Sequence, residues 1–201
     1  MEDSGNAPHR SPLVVVVGGP NGAGKSTTAP RLLRDALAVT EFINADAIAA
    51  GLSAFRPESV AFAAGRLMLR RIRSLALAGH DFAFETTLAS RVFGPLLRRL
   101  RASGYRVQLA FLSLPNADLA VARVAERVRA GGHDVPAPVI RRRFSAGLGN
   151  LFGTYLDIAD VWQVFDNSAL TAPRVIASKL PPDEPRIFDA DAWRNLVELA
   201  Q

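Results

Sequence analysis

The chain has 201 residues and no cysteine, which excludes disulfides and metal sites built on thiolates. Hydrophobic residues make up 49% of the sequence, enough for a sizeable core, and this excludes a largely disordered chain. The formal net charge is +5, a balance that attracts nucleotides and nucleic acids without specifying a function.

Residues 1–12 are polar, contain two prolines and lack the long apolar core of a secretory signal. We therefore predict a loose N-terminal leader, followed by a single domain over residues 13–201. The apolar runs are far shorter than a membrane span, so no membrane association is expected. The absence of cysteine fits a reducing compartment, and we predict a cytoplasmic protein.

Apolar, β-branched runs alternate with amphipathic segments along this domain, the pattern of an α/β fold with a parallel sheet. The predicted strands are 13–17, 41–45, 81–85, 105–114 and 161–165, with an edge strand or hairpin at 174–180. The predicted helices are 25–37, 57–78, 92–103 and 116–130, one that begins near 139, and 191–199. We therefore predict a central, mostly parallel five-stranded sheet.

A glycine-rich segment connects the first predicted strand to the first helix. Residues 19–26 read Gly-Pro-Asn-Gly-Ala-Gly-Lys-Ser and match the pattern G-x-x-x-x-G-K-[ST] in full. In this strand-to-helix context the pattern predicts a P-loop NTPase fold in three layers, with ATP or GTP as ligand. Lys25 is expected to reach the β- and γ-phosphates, and the Ser26 hydroxyl to ligate Mg²⁺. The predicted nucleotide-binding residues are Gly19, Pro20, Asn21, Gly22, Ala23, Gly24, Lys25, Ser26 and Thr27.

Two acidic residues lie at the ends of the next two strands. Asp46 could accept the proton of an attacking hydroxyl, or it could cap the helix that follows. Glu85 could hold Mg²⁺, bind substrate hydroxyls together with Thr87, or begin a helix. Asp166-Asn167-Ser168, after the fifth strand, could contact the adenine or form a cap.

A Gly/Pro-rich segment, 131–138, separates two predicted helices that carry arginines. Such a segment is typical of a lid over the phosphates, which we place at about residues 123–143. Arginines on a lid would stabilise the charge of the transferring phosphoryl group, although solvated helix faces explain at least some of them. The arginines concerned are Arg123, Arg127, Arg129, Arg141, Arg142 and Arg143.

Taken together, four segments resemble the zeta-toxin family, in particular its short, stand-alone bacterial members. They are Gly18–Thr27, Asn44–Asp46, Phe84–Thr87 and Gly131–Pro136, and the resemblance extends over about residues 13–170. Zeta toxins are P-loop kinases; the best-known ones phosphorylate the sugar 3′-hydroxyl of UDP-N-acetylglucosamine, and many are neutralised by an antitoxin. The resemblance implies an antitoxin partner for this chain as well.

The same resemblance assigns roles to individual residues. It implies that Asp46 is the catalytic base, and that Glu85 and Thr87 belong to the substrate site. It also implies a phosphate clamp of one arginine on each side of the lid, for which we select Arg127 and Arg142. Two positions depart from the UDP-sugar kinases: Ala49 stands where they carry an arginine, and Thr86 where they carry a glycine. Both departures fall on the substrate side.

The leading prediction is therefore an ATP-dependent kinase that phosphorylates a hydroxyl group of a small molecule, such as a nucleotide sugar. A kinase of nucleic-acid 5′-hydroxyls is an alternative that the basic charge favours. A nucleotide-dependent switch or nucleic-acid-binding module is a second alternative, in which ATP would change the shape of the protein.

Overall fold

The computed structural model describes residues 10–169 and 172–201 of the chain. Most of the predicted leader, residues 1–9, lies outside the described residues. The described end of the leader contacts the domain, because the Arg10 guanidinium pairs with Asp81 at 2.6 Å. The other oxygen of the Asp81 carboxylate accepts a hydrogen bond of 2.6 Å from the backbone N–H of Leu13, at the start of the first strand.

The described residues form one seven-stranded sheet with the order β2-β3-β1-β4-β5-β6-β7. The first five strands are parallel, whereas β6 and β7 continue the sheet in antiparallel pairing. The strands are β1 (Leu13–Gly18), β2 (Phe42–Ile43), β3 (Phe82–Thr86), β4 (Arg106–Ser113), β5 (Val161–Asp166), β6 (Arg174–Lys179) and β7 (Arg186–Ile187). The predicted strand number of five is wrong. The strand β7 has only two residues, both exposed, so it carries no hydrophobic pattern that could reveal it.

Eight α-helices connect or flank the described strands. They are α1 (Lys25–Arg31), α2 (Ala45–Leu52), α3 (Ala61–Leu77), α4 (Phe93–Ala102), α5 (Ala117–Arg129), α6 (Ala137–Asn150), α7 (Leu156–Ile158) and α8 (Ala190–Glu198). The helix predicted to end at residue 37 changes to a π-helical turn at Leu32–Ala36, directly after a helical segment that contains Pro30. The proline lacks the N–H that a regular α-helical bond requires at this point. None of the helices in the described ranges is long and apolar enough to span a membrane. A cytoplasmic location stays a prediction.

Strand β1 lies at the centre of the parallel strands and is buried on both faces. Val15 and Val17 pack on one face in a cluster with Leu33, which follows α1. Val14 and Val16 belong to a larger cluster on the other face, which includes Ile72 of α3. Helices therefore cover both sides of the sheet, which confirms the predicted three-layer α/β architecture.

The carboxyl ends of the five parallel strands lie along one edge of the sheet. The glycine-rich loop follows β1, residues 44–46 follow β2, and Glu85 lies one residue before the end of β3. Asn167 follows β5 on the other side of β1. Because ligands of open α/β sheets bind outside these strand ends, the topology brings the predicted site residues to one place.

Candidate active site

The phosphate-binding loop has a backbone that only glycine allows at three positions. Gly22 and Gly24 adopt φ values of 77°, and Gly24 is the left-handed residue directly before α1. A Cβ on Gly19 would lie 2.4 Å from the backbone oxygen of Leu112. The loop also closes on itself, since the Ala23 N–H donates to the Pro20 oxygen at 3.2 Å. The motif therefore folds into one defined backbone shape.

Lys25 is the first residue of α1, and its side chain is only 6% exposed. Its ammonium group donates to the Pro20 oxygen at 2.9 Å and lies 3.7 Å from Glu85 Oε1. Burial lowers the pKa of Lys25, the negative charges of Glu85 and Asp46 oppose this, and the positive charge of Arg127 adds to it. Two carboxylates and one guanidinium thus act on one buried ammonium group. An anionic phosphate would offset the cost of burying its charge.

The Glu85 carboxylate connects the loop to the end of β2. Its Oε2 atom accepts hydrogen bonds of 2.8 Å from the Ser26 hydroxyl and of 2.8 Å from the Asn44 amide. Glu85 lies inside β3, so it does not begin a helix. The Ser26 hydroxyl and the Glu85 carboxylate are hard oxygen donors of the kind that Mg²⁺ prefers, so this pair would fit a magnesium ion beside the N-terminus of α1.

Asp46 lies in the first turn of α2 and is not its cap. Asn44 is the N-cap, because its side-chain oxygen accepts hydrogen bonds from the N–H groups of Asp46 at 2.8 Å and Ala47 at 3.2 Å. The capping role that the sequence left open for Asp46 is therefore wrong. The Asp46 side chain is exposed and faces the cavity described below.

The arginines on the two helices of the lid divide into separate groups. Arg127 of α5 and Arg142 of α6 line the same cavity, and so does Arg143. Arg123 also reaches the cavity wall, but its two terminal nitrogens donate to the backbone oxygens of Asn167 and Ser168, each at 2.7 Å. The remaining two point elsewhere: Arg141 pairs with Asp118 at 2.5 Å, and Arg129 is exposed outside the cavity.

One cavity of about 1000 Å³ is lined by Lys25, Asp46 and Glu85 together with four of the lid arginines. This volume is at the upper end of the range of roughly 300–1,000 Å³ for sites that hold one drug-sized ligand. The predicted residues on its wall are Asn21, Gly22, Gly24, Lys25, Ser26, Thr27, Asp46, Glu85, Thr87, Arg127 and Arg142. Gly19, Pro20 and Ala23 are buried and do not line it, so they shape the loop from behind.

One wall of the cavity was not identified from the sequence. It is a face of α3 that carries Phe62, Gly65, Arg66 and Leu69, at the i, i+3, i+4, i+7 spacing of one helix side. Phe62 is 90% exposed, and a Cβ on Gly65 would meet no heavy atom within 4 Å. The spacing was present in the sequence, but an exposed phenylalanine and an arginine give no hydrophobic stripe.

Comparison with known proteins gives the family. Residues 14–147, two thirds of the chain, match the AAA domain family AAA_33. The chain belongs to this family. An uncharacterized protein of Haemophilus influenzae is 25% identical over 126 residues, which cover 63% of this chain and 88% of that protein.

Solved structures confirm the fold of this AAA domain protein. A chain of the AvrRxo1-ORF1:-ORF2 complex crystallised with ATP superposes with a TM-score of 0.75 at 16% identity, over 96% of this chain and 65% of the other. This chain thus spans just under two thirds of its neighbour's length. A chain from the PezAT chromosomal toxin-antitoxin system of Streptococcus pneumoniae gives a TM-score of 0.62 at 16% identity, covering 98% and 91%. The fold expected from the resemblance to zeta-toxin-like P-loop kinases is thereby confirmed.

Proposed function

We propose that this protein is an ATP-dependent kinase that transfers the γ-phosphoryl group to a hydroxyl of a small molecule. One observation carries the proposal: residues of the phosphate-binding loop line the same cavity as Asp46, Arg127 and Arg142. A loop that binds nucleotide specifies the ligand and not the reaction. An exposed carboxylate in the same cavity as the loop supports an acceptor that reacts there.

The phosphates of ATP would bind at the N-terminus of α1, where the loop N–H groups and Lys25 provide positive charge. Ser26 and Glu85 would hold Mg²⁺, Ser26 by its hydroxyl and Glu85 by its carboxylate. A bound Mg²⁺ would supply positive charge that offsets the negative charge of the phosphate oxygens. The Ser26–Glu85 hydrogen bond of 2.8 Å keeps the two ligand side chains together at the phosphate end of the cavity.

Asp46 would act as the general base. The acceptor oxygen forms a bond to the γ-phosphorus, the bond from that phosphorus to the bridging oxygen of ADP breaks, and the hydroxyl proton passes to the Asp46 carboxylate. Asn44 fixes the backbone of Asp46 through its cap, and the side chain remains available to the cavity. Arg127 and Arg142 would stabilise the charge of the transferring group from the lid side.

The wall formed by α3 is proposed as the acceptor side of the cavity. Arg66 offers a cation for an anionic group of the acceptor, and the Phe62 ring offers a face for a planar or apolar group. Gly65, between them, leaves open space on the helix surface. Ala49, which stands where the UDP-sugar kinases carry an arginine, is 6% exposed and does not line the cavity. Arg66 of α3 instead offers a positive charge on the acceptor side. A nucleotide sugar such as UDP-N-acetylglucosamine is the acceptor that we propose to test first.

A toxin role with an antitoxin partner is part of the proposal, because the PezAT neighbour comes from a toxin-antitoxin system and shares this fold. Induced expression of the wild-type chain in a bacterial host is expected to arrest growth, and expression of Lys25→Met is not. Normal growth with the wild-type chain at matched protein levels would contradict the toxin role.

The kinase is tested with γ-labelled ATP and Mg²⁺ against three acceptor pools: UDP-N-acetylglucosamine, a bacterial metabolite extract, and an oligonucleotide with a free 5′-hydroxyl. We expect label on a small molecule, and about a hundredfold less label with Asp46→Asn. The matched control is Asp157→Asn, an exposed aspartate of α7 outside the cavity.

The outcomes separate the three predicted functions. Label on the oligonucleotide alone would indicate the nucleic-acid kinase instead. Release of inorganic phosphate at the same rate with and without acceptors would contradict the kinase proposal and favour the nucleotide-dependent switch. Replacement of Gly65 by leucine is expected to raise the KM for the acceptor and to leave the Kd for ATP unchanged, which tests the α3 wall separately.

A further inference from the structure

The turn after β5 reaches across the site and contacts the phosphate-binding loop directly. The side-chain amide of Asn167 donates to the backbone oxygen of Ala23 at 2.7 Å. A Cβ on Gly24 would lie 2.7 Å from the same amide nitrogen, Asn167 Nδ2. The amide therefore packs on the peptide that joins Ala23 to Gly24, one residue before Lys25.

The turn that presents Asn167 is itself held in place from several directions. Arg123 donates to the backbone oxygens of Asn167 and Ser168, each at 2.7 Å. The Asp166 carboxylate accepts from the Ser168 N–H at 2.8 Å and pairs with Arg174 at 3.2 Å. Partial burial alone would raise the pKa of Asp166, but the hydrogen bonds from Ser168 and Arg174 hold it below its usual value. The turn is thus fixed by charged groups on both sides.

This contact determines the direction of a loop N–H group. In a planar trans peptide the C=O and the following N–H point in opposite directions. An amide that holds the Ala23 oxygen therefore turns the Gly24 N–H away from Asn167. Gly24 lines the cavity, and N–H groups of such loops bind the phosphates. The orientation of this peptide is consequently part of the nucleotide site.

We propose that Asn167 is a positioning residue for the phosphate-binding loop, and that Arg123 acts through it from the lid helix α5. The inference rests on the proposed nucleotide site and adds two residues to it. Arg123 donates from both terminal nitrogens to the turn, so it differs from Arg142 and Arg143, which also line the cavity. The Asn167 side chain donates to the loop, whereas the adenine contact that the sequence left open for residues 166–168 stays a prediction.

The test measures the Kd of ATP and of inorganic tripolyphosphate, with Mg²⁺, by calorimetry. Asn167→Ala is expected to weaken both ligands about tenfold, because the Ala23 oxygen loses its donor and the peptide can rotate. Asn167→Asp is nearly isosteric and is expected to weaken both about a hundredfold, since it adds a negative charge beside the phosphates and repels the Ala23 oxygen. The matched control is Asn195→Ala, since Asn195 of α8 also donates to a backbone oxygen, that of Pro115 at 3.1 Å, away from the site.

Arg123→Ala completes the experiment in a double-mutant cycle with Asn167→Ala. If Arg123 acts through Asn167, the double variant binds ATP as weakly as Asn167→Ala alone, within about twofold. If the loss of ATP affinity in the double variant equals the product of the two single losses, Arg123 acts on phosphate by itself. That result would overturn this part of the inference. Unfolding temperatures of the ligand-free variants identify any loss of fold, and Asn167→Asp serves if Asn167→Ala does not fold.

The remaining outcomes are distinct. Weaker ATP with unchanged tripolyphosphate would place Asn167 at the nucleoside and overturn the inference. Unchanged binding of both ligands would also overturn it. If the Asn167 variants weaken both ligands as expected but the wild-type protein transfers no phosphate, the inference is supported and the proposed kinase is contradicted.

Discussion

The phosphate-binding loop and the lid segment 131–136 are both rich in glycine, yet they are built in opposite ways. The loop is held by contacts with β4, α5 and the turn after β5, and its Lys25 side chain is only 6% exposed. The lid segment is mostly exposed, and its described contacts with α5 include three hydrogen bonds of 2.9 Å, two of which involve Arg127. For the proposed kinase we therefore expect a donor site that is formed before ATP binds and a lid that completes it afterwards. Changes in the loop should therefore affect binding, and changes in the lid should affect the rate.

The largest effect on phosphoryl transfer is expected for the buried lysine of the phosphate-binding loop. Lys25→Met removes the cation that faces the phosphates, and we expect a loss of about 10³-fold in phosphoryl transfer together with weaker ATP binding. The other lysine, Lys179 on β6, lies outside the cavity, and Lys179→Met is the matched control. Equal losses in both variants, measured as label transfer and as the Kd for ATP, would contradict a specific role for Lys25.

Asp46 lines the same cavity as the loop, and its substitution tests whether nucleotide binding and phosphoryl transfer separate. Asp46→Asn is expected to lower kcat about 10²-fold while the Kd for ATP stays within about twofold, because the amide cannot accept the hydroxyl proton. The measurement is kcat at saturating ATP beside the Kd from calorimetry. An unchanged kcat would remove Asp46 as the base.

The lid arginines should show the complementary behaviour to Lys25. Arg127→Gln and Arg142→Gln are each expected to lower kcat about tenfold or more with little change in the Kd for ATP, because these charges act on the transferring phosphoryl group. Arg129→Gln on the same helix α5 is the control, since Arg129 is exposed outside the cavity. A similar loss with Arg129→Gln would show that general charge explains the effect, and a loss in Kd alone would show that the lid belongs to the preformed site.

The smallest effect concerns the protonation of Lys25. Burial lowers the pKa of Lys25. At alkaline pH the protonated fraction of Lys25 is therefore smaller in the ligand-free folded protein than in the unfolded chain. Bound phosphates favour the charged form, so ATP binding should take up a proton and weaken by a few fold as pH rises through the lowered pKa. The buffer dependence of the binding enthalpy measures this uptake.

The control for this experiment is Lys25→Arg, since a guanidinium stays charged over the same range. Its ATP affinity should not change with pH, even if it is weaker overall. A pH profile that is identical in the wild type and in Lys25→Arg would contradict the titration of Lys25.

Local patterns in the sequence predicted the features that depend on neighbouring residues. The phosphate-binding loop was found because its strand, its glycines and its helix are contiguous, so the sequence contains the whole structural unit. The alternation of strands and helices predicted the α/β class, and the acids at two successive strand ends predicted that Asp46 and Glu85 would meet at one edge. The cavity contains both, together with Lys25.

The tertiary structure decided what depends on residues that are far apart in the chain. Asn167 and Ala23 are separated by 144 positions, and no local pattern marks an asparagine as the partner of a loop carbonyl. The hydrogen bond from Asn44 to Glu85, the two bonds from Arg123 to a turn, and the α3 wall with Phe62 and Arg66 likewise follow from packing between elements. The sequence by itself thus determined the nucleotide loop, because neighbouring residues build it. Only the folded chain decided how that loop is held and which other residues line its cavity, because those contacts form when distant segments meet.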